Sequence, residues 1–560
     1  MFYRFVSAHS EATRYSEKRG NMATRTQHAR KNIITSVINK LVIMGTNFIM
    51  RTILIKYLGA EYLGLDSLFV SILQILSLTE LGISSAMVYS MYKPLAEGDT
   101  AAVCALLKLY RTVYRWIALI MTVLGLAVSP FLPLIAKKDL PEGLNLYVLF
   151  YINLANTVLS YVLFAYRSSL FTADQKYSVN NNIYSIFKIG ATVVQVIAIF
   201  LFKNNAYTAY YLYSLALPLM TIAKNLALYI ISNKMYPQYK CEGTVPPDEI
   251  KNIRKRVAGM FLHKVNFVFR NSLDSIVLSA FLGLNILGQY NSYYYIINAI
   301  SGIMILVSNS VTASVGNSIV VESKEKNYKD FQKLQLLYMG LTTWLTVCLV
   351  GCTQPFIKLW VGEKMMFEDY IMIIFCIYFF SMHFSRICHL YRDAAGLWWQ
   401  DRFRPIVETL VNLTLNIVLV KYLGYIIPLN NIGVSGVMFS TIFCIVFIEG
   451  TWGTRILFKH YFTQVKMSKY MLRLTWYWIL AIIAGGGCYF ACSKIGLEGI
   501  PAFIVYGIVG TLITAVVYIA GTCFLPEFMP SVAFGFKIIG MKKISEKITD
   551  GVKKRQEMKK

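Results

Sequence analysis

Apolar runs of about 20 residues, the length a helix needs to cross roughly 30 Å of hydrocarbon, recur from one end of the chain to the other with short polar gaps between them. They predict spans near 32–57, 65–92, 112–136, 145–171, 182–202, 207–231, 258–282, 289–318, 334–360, 367–393, 403–423, 432–458, 471–492 and 499–525. The pattern is that of an all-α polytopic membrane protein with about fourteen transmembrane helices.

The pattern also repeats. Residues 58–64 read LGAEYLG and residues 282–288 read LGLNILG, the same two Leu-Gly pairs at an offset of 224. Arg30-Lys31, Lys40 and Asn47 recur at that offset as Arg254-Lys255, Lys264 and Asn271; Tyr166-Arg167 with Gln175 recurs one position later as Tyr391-Arg392 with Gln400. Register held over so long a stretch indicates two homologous halves. The expected layout is a basic arm (1–31), a six-span N-lobe (32–231), a connection (232–257) marked by Pro237, Pro246 and Pro247, a six-span C-lobe (258–458), two further spans (471–525) and a basic tail (526–560). An even number of spans per half returns the chain to its starting side, so the repeats are parallel.

Composition agrees: of 560 residues 56% are hydrophobic and 15% charged, far from a soluble domain. The net charge of +26 raises the question of nucleic acid, but its placement follows topology. Lys and Arg crowd the arm, the connection 232–257, the gaps after the eighth and twelfth spans, and the tail, while the gaps of the other parity hold few. Positive residues stay inside, so both termini are expected in the cytoplasm, with no nucleic-acid partner. A polybasic tail also suits contact with anionic lipid. The ten cysteines lie mostly within spans, with Cys348/Cys352 and Cys488/Cys492 one helical turn apart, and read as small packing residues. The first 31 residues carry no apolar core of a cleaved signal, and Met22 is an alternative start.

Charges inside spans are costly and usually face a bundle interior or an aqueous path. The first span carries Lys40, Asn47 and Arg51 on one face; its counterpart carries His263, Asn266, Arg270 and Asp274. Arg51, Lys40 and Lys264 either line a path or snorkel to the surfaces, whereas Arg270 and Asp274 lie deeper, within pairing distance of each other on one helix face. Glu80 is placed near the middle of the second span beside small residues, as an arginine's partner or a protonation site. Arg386, His389 and Asp393 share one face of the tenth span, and Glu408, Asn412, Asn416 and Glu449 complete the buried polar set. Arg167 and Arg392 read as anchors or as substrate contacts. Short outer gaps such as GAEYLGLD leave no room for an extracytoplasmic catalytic domain. No Gly-rich phosphate loop of the ATPase type and no metal-ligand cluster is visible.

NFIMRTILIKYLGAEYLGLDSLF, TELGISSAM, LGLNILGQYN and KYLGYIIPLNNIGVSG together resemble the polysaccharide transporter family, the O-antigen and capsule flippases, of the multidrug/oligosaccharidyl-lipid/polysaccharide (MOP) flippase superfamily. The likeness covers about residues 28–525. It implies a MATE-like two-lobe fold around a cavity that opens alternately to the two membrane faces. It implies as substrate a polyprenyl-diphosphate-linked oligosaccharide, moved from the cytoplasmic to the outer leaflet without cofactor or enzymatic step. Related lipid II flippases contribute cavity arginines from the first helix of each lobe, the spans that hold Arg51 and Arg270 here. Candidate headgroup contacts are therefore Arg51, Arg270, Lys40, Lys264, Arg386 and His389, and candidate ion-coupling groups are Glu80 and Asp274, for H+ or Na+. Polysaccharide-synthesis membrane proteins are expected partners at the basic loops. A multidrug exporter of the same superfamily is the alternative, though it would more usually have twelve spans and an acidic cavity. A polymerase or ligase would need the outer loop that is missing.

Overall fold

The computed structural model describes residues 38–80, 83–136, 138–174, 176–426, 431–538 and 541–557. The basic arm with Met22, Gln175, and the side chains of Lys255, His263, Lys264, Asn266, Arg270 and Asn271 lie outside the described residues. Among the described residues the secondary structure is helical throughout, without a strand.

The chain forms two compact units, one comprising residues 1–134 and 140–268, the other residues 135–139 and 269–560. The first contains α1 (Ile38–Tyr57), α2 (Ala60–Leu76), α3 (Ile83–Glu97), α4 (Thr100–Val128), α5 (Leu146–Val162), α6 (Ser168–Ala173), α7 (Tyr177–Leu201) and α8 (Ala206–Met235). α9 (Pro247–Leu282) runs from the first unit into the second. There follow α10 (Leu284–Val321), α11 (Lys324–Val361), α12 (Asp369–Phe384), α13 (Arg386–Ala394), α14 (Arg404–Ile426) and α15 (Ile432–Phe443). The chain ends with α16 (Thr451–His460), α17 (Met467–Ile495), α18 (Gly499–Thr522), α19 (Phe528–Ile538) and α20 (Lys542–Glu557).

Among the described residues eleven helices are long and apolar enough to cross a membrane, twelve when α5 and the segment Ala165–Ala173, bent by 48°, are taken as one span. Twelve of the fourteen expected spans are thereby met; the second and seventh are not. The second is interrupted: α2 gives way at Ser77–Glu80 to a 3-10 turn before α3 begins. Ser77, Thr79 and Gly82 are weak helix formers gathered at that point. The seventh lies in α9, where Ser272–Leu282 is the apolar stretch among the described residues. Glu80 accordingly sits at a helix break and not in the middle of a helix as expected.

The repeated Leu-Gly pair acquires a structural meaning. Gly59 ends the turn between α1 and α2 at φ 120°, ψ 172°, and Gly283 does the same between α9 and α10 at φ 106°, ψ 172°. Each glycine N–H donates to a leucine carbonyl five residues back, Leu54 and Leu278, at 3.1 Å. That backbone region is open in practice only to glycine, and a Cβ would come within 2.6 Å of Glu61 Oε2 at Gly59 and 2.2 Å of Asp139 Oδ2 at Gly283.

Other helices begin where side chains cap their free N–H groups: Asp99 accepts from Ala102 N at the start of α4, Asn145 from Tyr147 N and Val148 N at α5, and Asn205 from Thr208 N at α8. In the first unit Gly125 lets α4 close on Leu154 of α5. In the second, α17 and α18 pack on α11. Gly351, Cys488, Cys492 and Gly510 permit the close approach, Trp344 Nε1 donates to Thr511 Oγ1 at 2.9 Å, and Tyr518 OH donates to the Leu336 carbonyl at 2.7 Å. All ten cysteines are free thiols.

Candidate functional site

The intramembrane polar residues gather into separate clusters, each within one unit. In the first unit Arg51, half-buried on α1, stands within charge reach of Asp66 on α2, as does Lys188 on α7, and Asp66 bonds the Tyr213 side chain of α8. Asp66, Lys188 and Tyr213 were missed in the sequence, where Asp66 reads as the tail of a short loop and Lys188 as a lone charge. Lys40 is exposed near the other end of α1. Glu80 is ringed by tyrosines: Tyr114 OH donates to Glu80 Oε1 at 3.2 Å, Tyr110 OH donates to Tyr114 OH at 2.6 Å, and Tyr161 also bonds the carboxylate. Tyrosine hydroxyls thus meet the carboxylate at the helix break.

The second unit holds a denser network. Asp274, buried on α9, accepts from Asn416 Nδ2 at 2.7 Å and from Thr441 Oγ1 at 3.1 Å. Asn416 also donates to Asn412 Oδ1 at 3.3 Å and accepts from Ser440 Oγ, while Asn412 donates to Thr441 Oγ1 at 3.0 Å. Helices α9, α14 and α15 thus bring one carboxylate, two carboxamides and two hydroxyls together away from lipid, all buried. The Asp274 carboxylate and the Ser440 and Thr441 hydroxyls are hard oxygens of the type that suits an alkali cation, while Asn416 meets the carboxylate through its Nδ2. Among the described residues no group of three or more His, Cys, Asp and Glu forms a metal site. The sequence had picked out Asp274, Asn412 and Asn416 one by one; Ser440 and Thr441 look like ordinary small residues until α15 is packed.

Arg386, His389 and Asp393, expected as one cluster, point three ways. Arg386 donates from Nε to Ser308 Oγ at 3.1 Å and from Nη2 to Asn309 Oδ1 at 3.4 Å, on α10. His389 is buried with Nδ1 3.5 Å from Glu449 Oε1, in a π-helical turn Cys444–Gly450, and Gly453 leaves the space its Nε2 needs. Asp393 pairs with Arg392 at 2.8 Å.

Arg392 belongs to a buried ion network: it meets Asp401 at 2.7 Å, Arg404 meets Asp401 at 2.9 Å, and Arg404 meets Glu408 at 2.7 Å. Its sequence counterpart Arg167 is also buried and donates to the Tyr239 carbonyl at 3.0 Å. Both arginines brace the protein internally, so neither is a surface anchor.

The architecture defines the class of protein. It is similar to the solved structure described as "Lipid II flippase MurJ, inward closed conformation", at 16% identity and a TM-score of 0.59, over 87% of this chain and 98% of that one. It is also similar to an inward-facing multidrug resistance MATE family transporter of the MOP superfamily, at 13% identity and a TM-score of 0.56, over 76% of this chain and 98% of that one. At such identities the likeness establishes the fold, a multi-pass helical bundle of the kind built by MOP transporters. Residues 29–313 match the model of the family described as "Polysaccharide biosynthesis protein", and the chain belongs to that family. No curated protein sequence matches it significantly.

Proposed function

We propose that the protein is a flippase that carries a polyprenyl-diphosphate-linked oligosaccharide from the cytoplasmic to the outer leaflet of the bacterial cytoplasmic membrane by alternating access. The observation that carries the reading is the conjunction of membership in a polysaccharide biosynthesis family with the fold of a lipid II flippase. The substrate's diphosphate calls for guanidinium groups, which bind it bidentately and more strongly where water is scarce. Arg51 and Arg386, half-buried in their units, are the described candidates; Arg270, Lys40, Lys264 and His389 complete the proposed set. His389 is the weakest member, since it faces Glu449.

Ion coupling is assigned to Asp274. A carboxylate buried in a membrane interior costs free energy that a bound cation or proton offsets, and the Ser440 and Thr441 hydroxyls of the same network are the further oxygens. Glu80, hydroxyl-bonded at a helix break, is the second proposed coupling group. Both termini are placed in the cytoplasm by the charge pattern, and the basic loops are the proposed contacts for polysaccharide-synthesis proteins.

The test is the pool and sidedness of polyprenyl-diphosphate-linked oligosaccharide in cells depleted of the protein. Completed repeat units should accumulate in the cytoplasmic leaflet. An unchanged pool would sink the proposal and favour a drug exporter, the reading that the MATE-like fold keeps open. Unpolymerised sugar already in the outer leaflet would point to an enzyme.

A further inference from the structure

A cavity of about 540 Å³ lies in the second unit, apart from the Asp274 network and the Arg392 ion network, between the opening turns of α11 and the start of α17. Its charge is one-sided. Lys466, Lys469 and Arg473 line it, and none of its lining residues is acidic. Arg473 is paired with buried Glu527, which leaves the two lysines, both exposed and without an ion pair among the described residues, as the charge the cavity presents.

The first turn of α17 adds to it. Lys466 occupies the N-cap position and makes no side-chain cap bond, so the positive end of a 29-residue helix lies at the cavity wall. A helix end and two lysines would be only an electropositive surface. Two buried polar residues make more of it: Tyr470 and Gln335 line the cavity, and among the described residues Tyr470 OH and Gln335 Oε1 have no hydrogen-bond partner. Gln335 is fixed in orientation, because its Nε2 donates to the Phe384 carbonyl at 3.1 Å and leaves the oxygen turned away. Buried polar atoms without partners cost about 1–3 kcal/mol each, and a shared cavity wall is where a ligand relieves that cost.

The complement is specific. The lysines and the Tyr470 hydroxyl donate to an anionic oxygen; Gln335 Oε1 accepts, and so asks for a hydroxyl on the same ligand. The rings of Tyr328 and Phe331 give the cavity an apolar wall. The volume falls in the range of small-molecule sites, roughly 300–1,000 Å³, and exceeds what a bare phosphate would fill. We propose that this cavity binds a hydroxyl-bearing phosphate ester, either the headgroup of an anionic phospholipid or a soluble phosphorylated polyol, at a site independent of the transported substrate.

The full-length purified protein decides the matter by binding alone, whatever it transports. In one arm the protein is exchanged into nanodiscs of phosphatidylglycerol or phosphatidylcholine and retained lipid is counted by native mass spectrometry. In the other, glycerol 3-phosphate and inorganic phosphate are titrated and thermal unfolding is followed. Selective retention of phosphatidylglycerol names the lipid as the source; a saturable shift with glycerol 3-phosphate names the soluble ester. The paired change Lys466→Gln with Lys469→Gln should weaken whichever ligand binds by about tenfold. Tyr470→Phe keeps the ring packed on Phe331 and Phe458 and should weaken it by roughly threefold. Lys203→Gln, an exposed lysine of the first unit, should bind as the unaltered protein does. The assignment is overturned if neither ligand is preferred over its control. It is also overturned if the lysine pair binds as the unaltered protein does, or if Lys203→Gln weakens binding equally.

Discussion

Asp274 accepts from Asn416 on one oxygen and from Thr441 on the other, and the coupling assigned to it depends on its charge. Asp274→Asn keeps the shape but removes the charge, so flipping should lose its dependence on a Na+ or H+ gradient while protein levels stay near normal; a gradient-dependent Asp274→Asn protein would end the coupling assignment. Asn416→Ala removes a 2.7 Å bond to a buried carboxylate and should cost about 1–3 kcal/mol in stability, read as a lowered unfolding temperature in detergent. Arg51→Ala and Arg386→Ala should each impair flipping, with Lys replacements milder because charge survives and only the forked geometry is lost. Full transport by both alanine proteins at normal membrane levels would refute the cationic-contact idea.

At the scale of elements, two devices set how helices meet. Gly59 and Gly283 close equivalent turns with the same backbone conformation and the same bond to a leucine carbonyl, and Gly283→Ala should destabilise the second unit by about 1–3 kcal/mol. The ion network through Arg392, Asp401 and Arg404 ties α13 to α14 by buried charge. Removing one member leaves another charge buried and uncompensated, so Asp401→Ala should cost roughly 3–5 kcal/mol and lower the amount of folded protein in the membrane. Wild-type stability in Asp401→Ala would mean that water reaches the network.

For the whole molecule, most of the spans follow from unbroken apolar runs along the chain. Ten predicted spans coincide with single long apolar helices without a break that alters them, and the tenth runs through the boundary at Ser385 between α12 and α13. The second is interrupted at the turn that holds Glu80, and the seventh, which carries Arg270 and Asp274 in the sequence, lies only partly among the described residues, so both are spans the sequence marks with charge. A path for a charged headgroup needs such polar helices. If the flippase reading holds, substitutions that restore apolarity there, such as Glu80→Leu, should preserve expression yet abolish flipping, measured as accumulation of lipid-linked oligosaccharide in the inner leaflet.

Local periodicity carries the helical class, the approximate positions of most spans, the duplication and the family, because each depends on runs of apolar residues and on glycines at fixed spacing, which are properties of neighbours along the chain. The assembly of Asp274 with Asn412, Asn416, Ser440 and Thr441 does not: it joins three helices separated by up to 167 positions. The same holds for Arg51 with Asp66 and Lys188, for the parting of Arg386, His389 and Asp393, and for the burial of Arg167 and Arg392. A helical face tells which side chains share a direction but not what stands opposite. Only packing brings the opposing helix, and with it the partner that turns a costly polar group into a site.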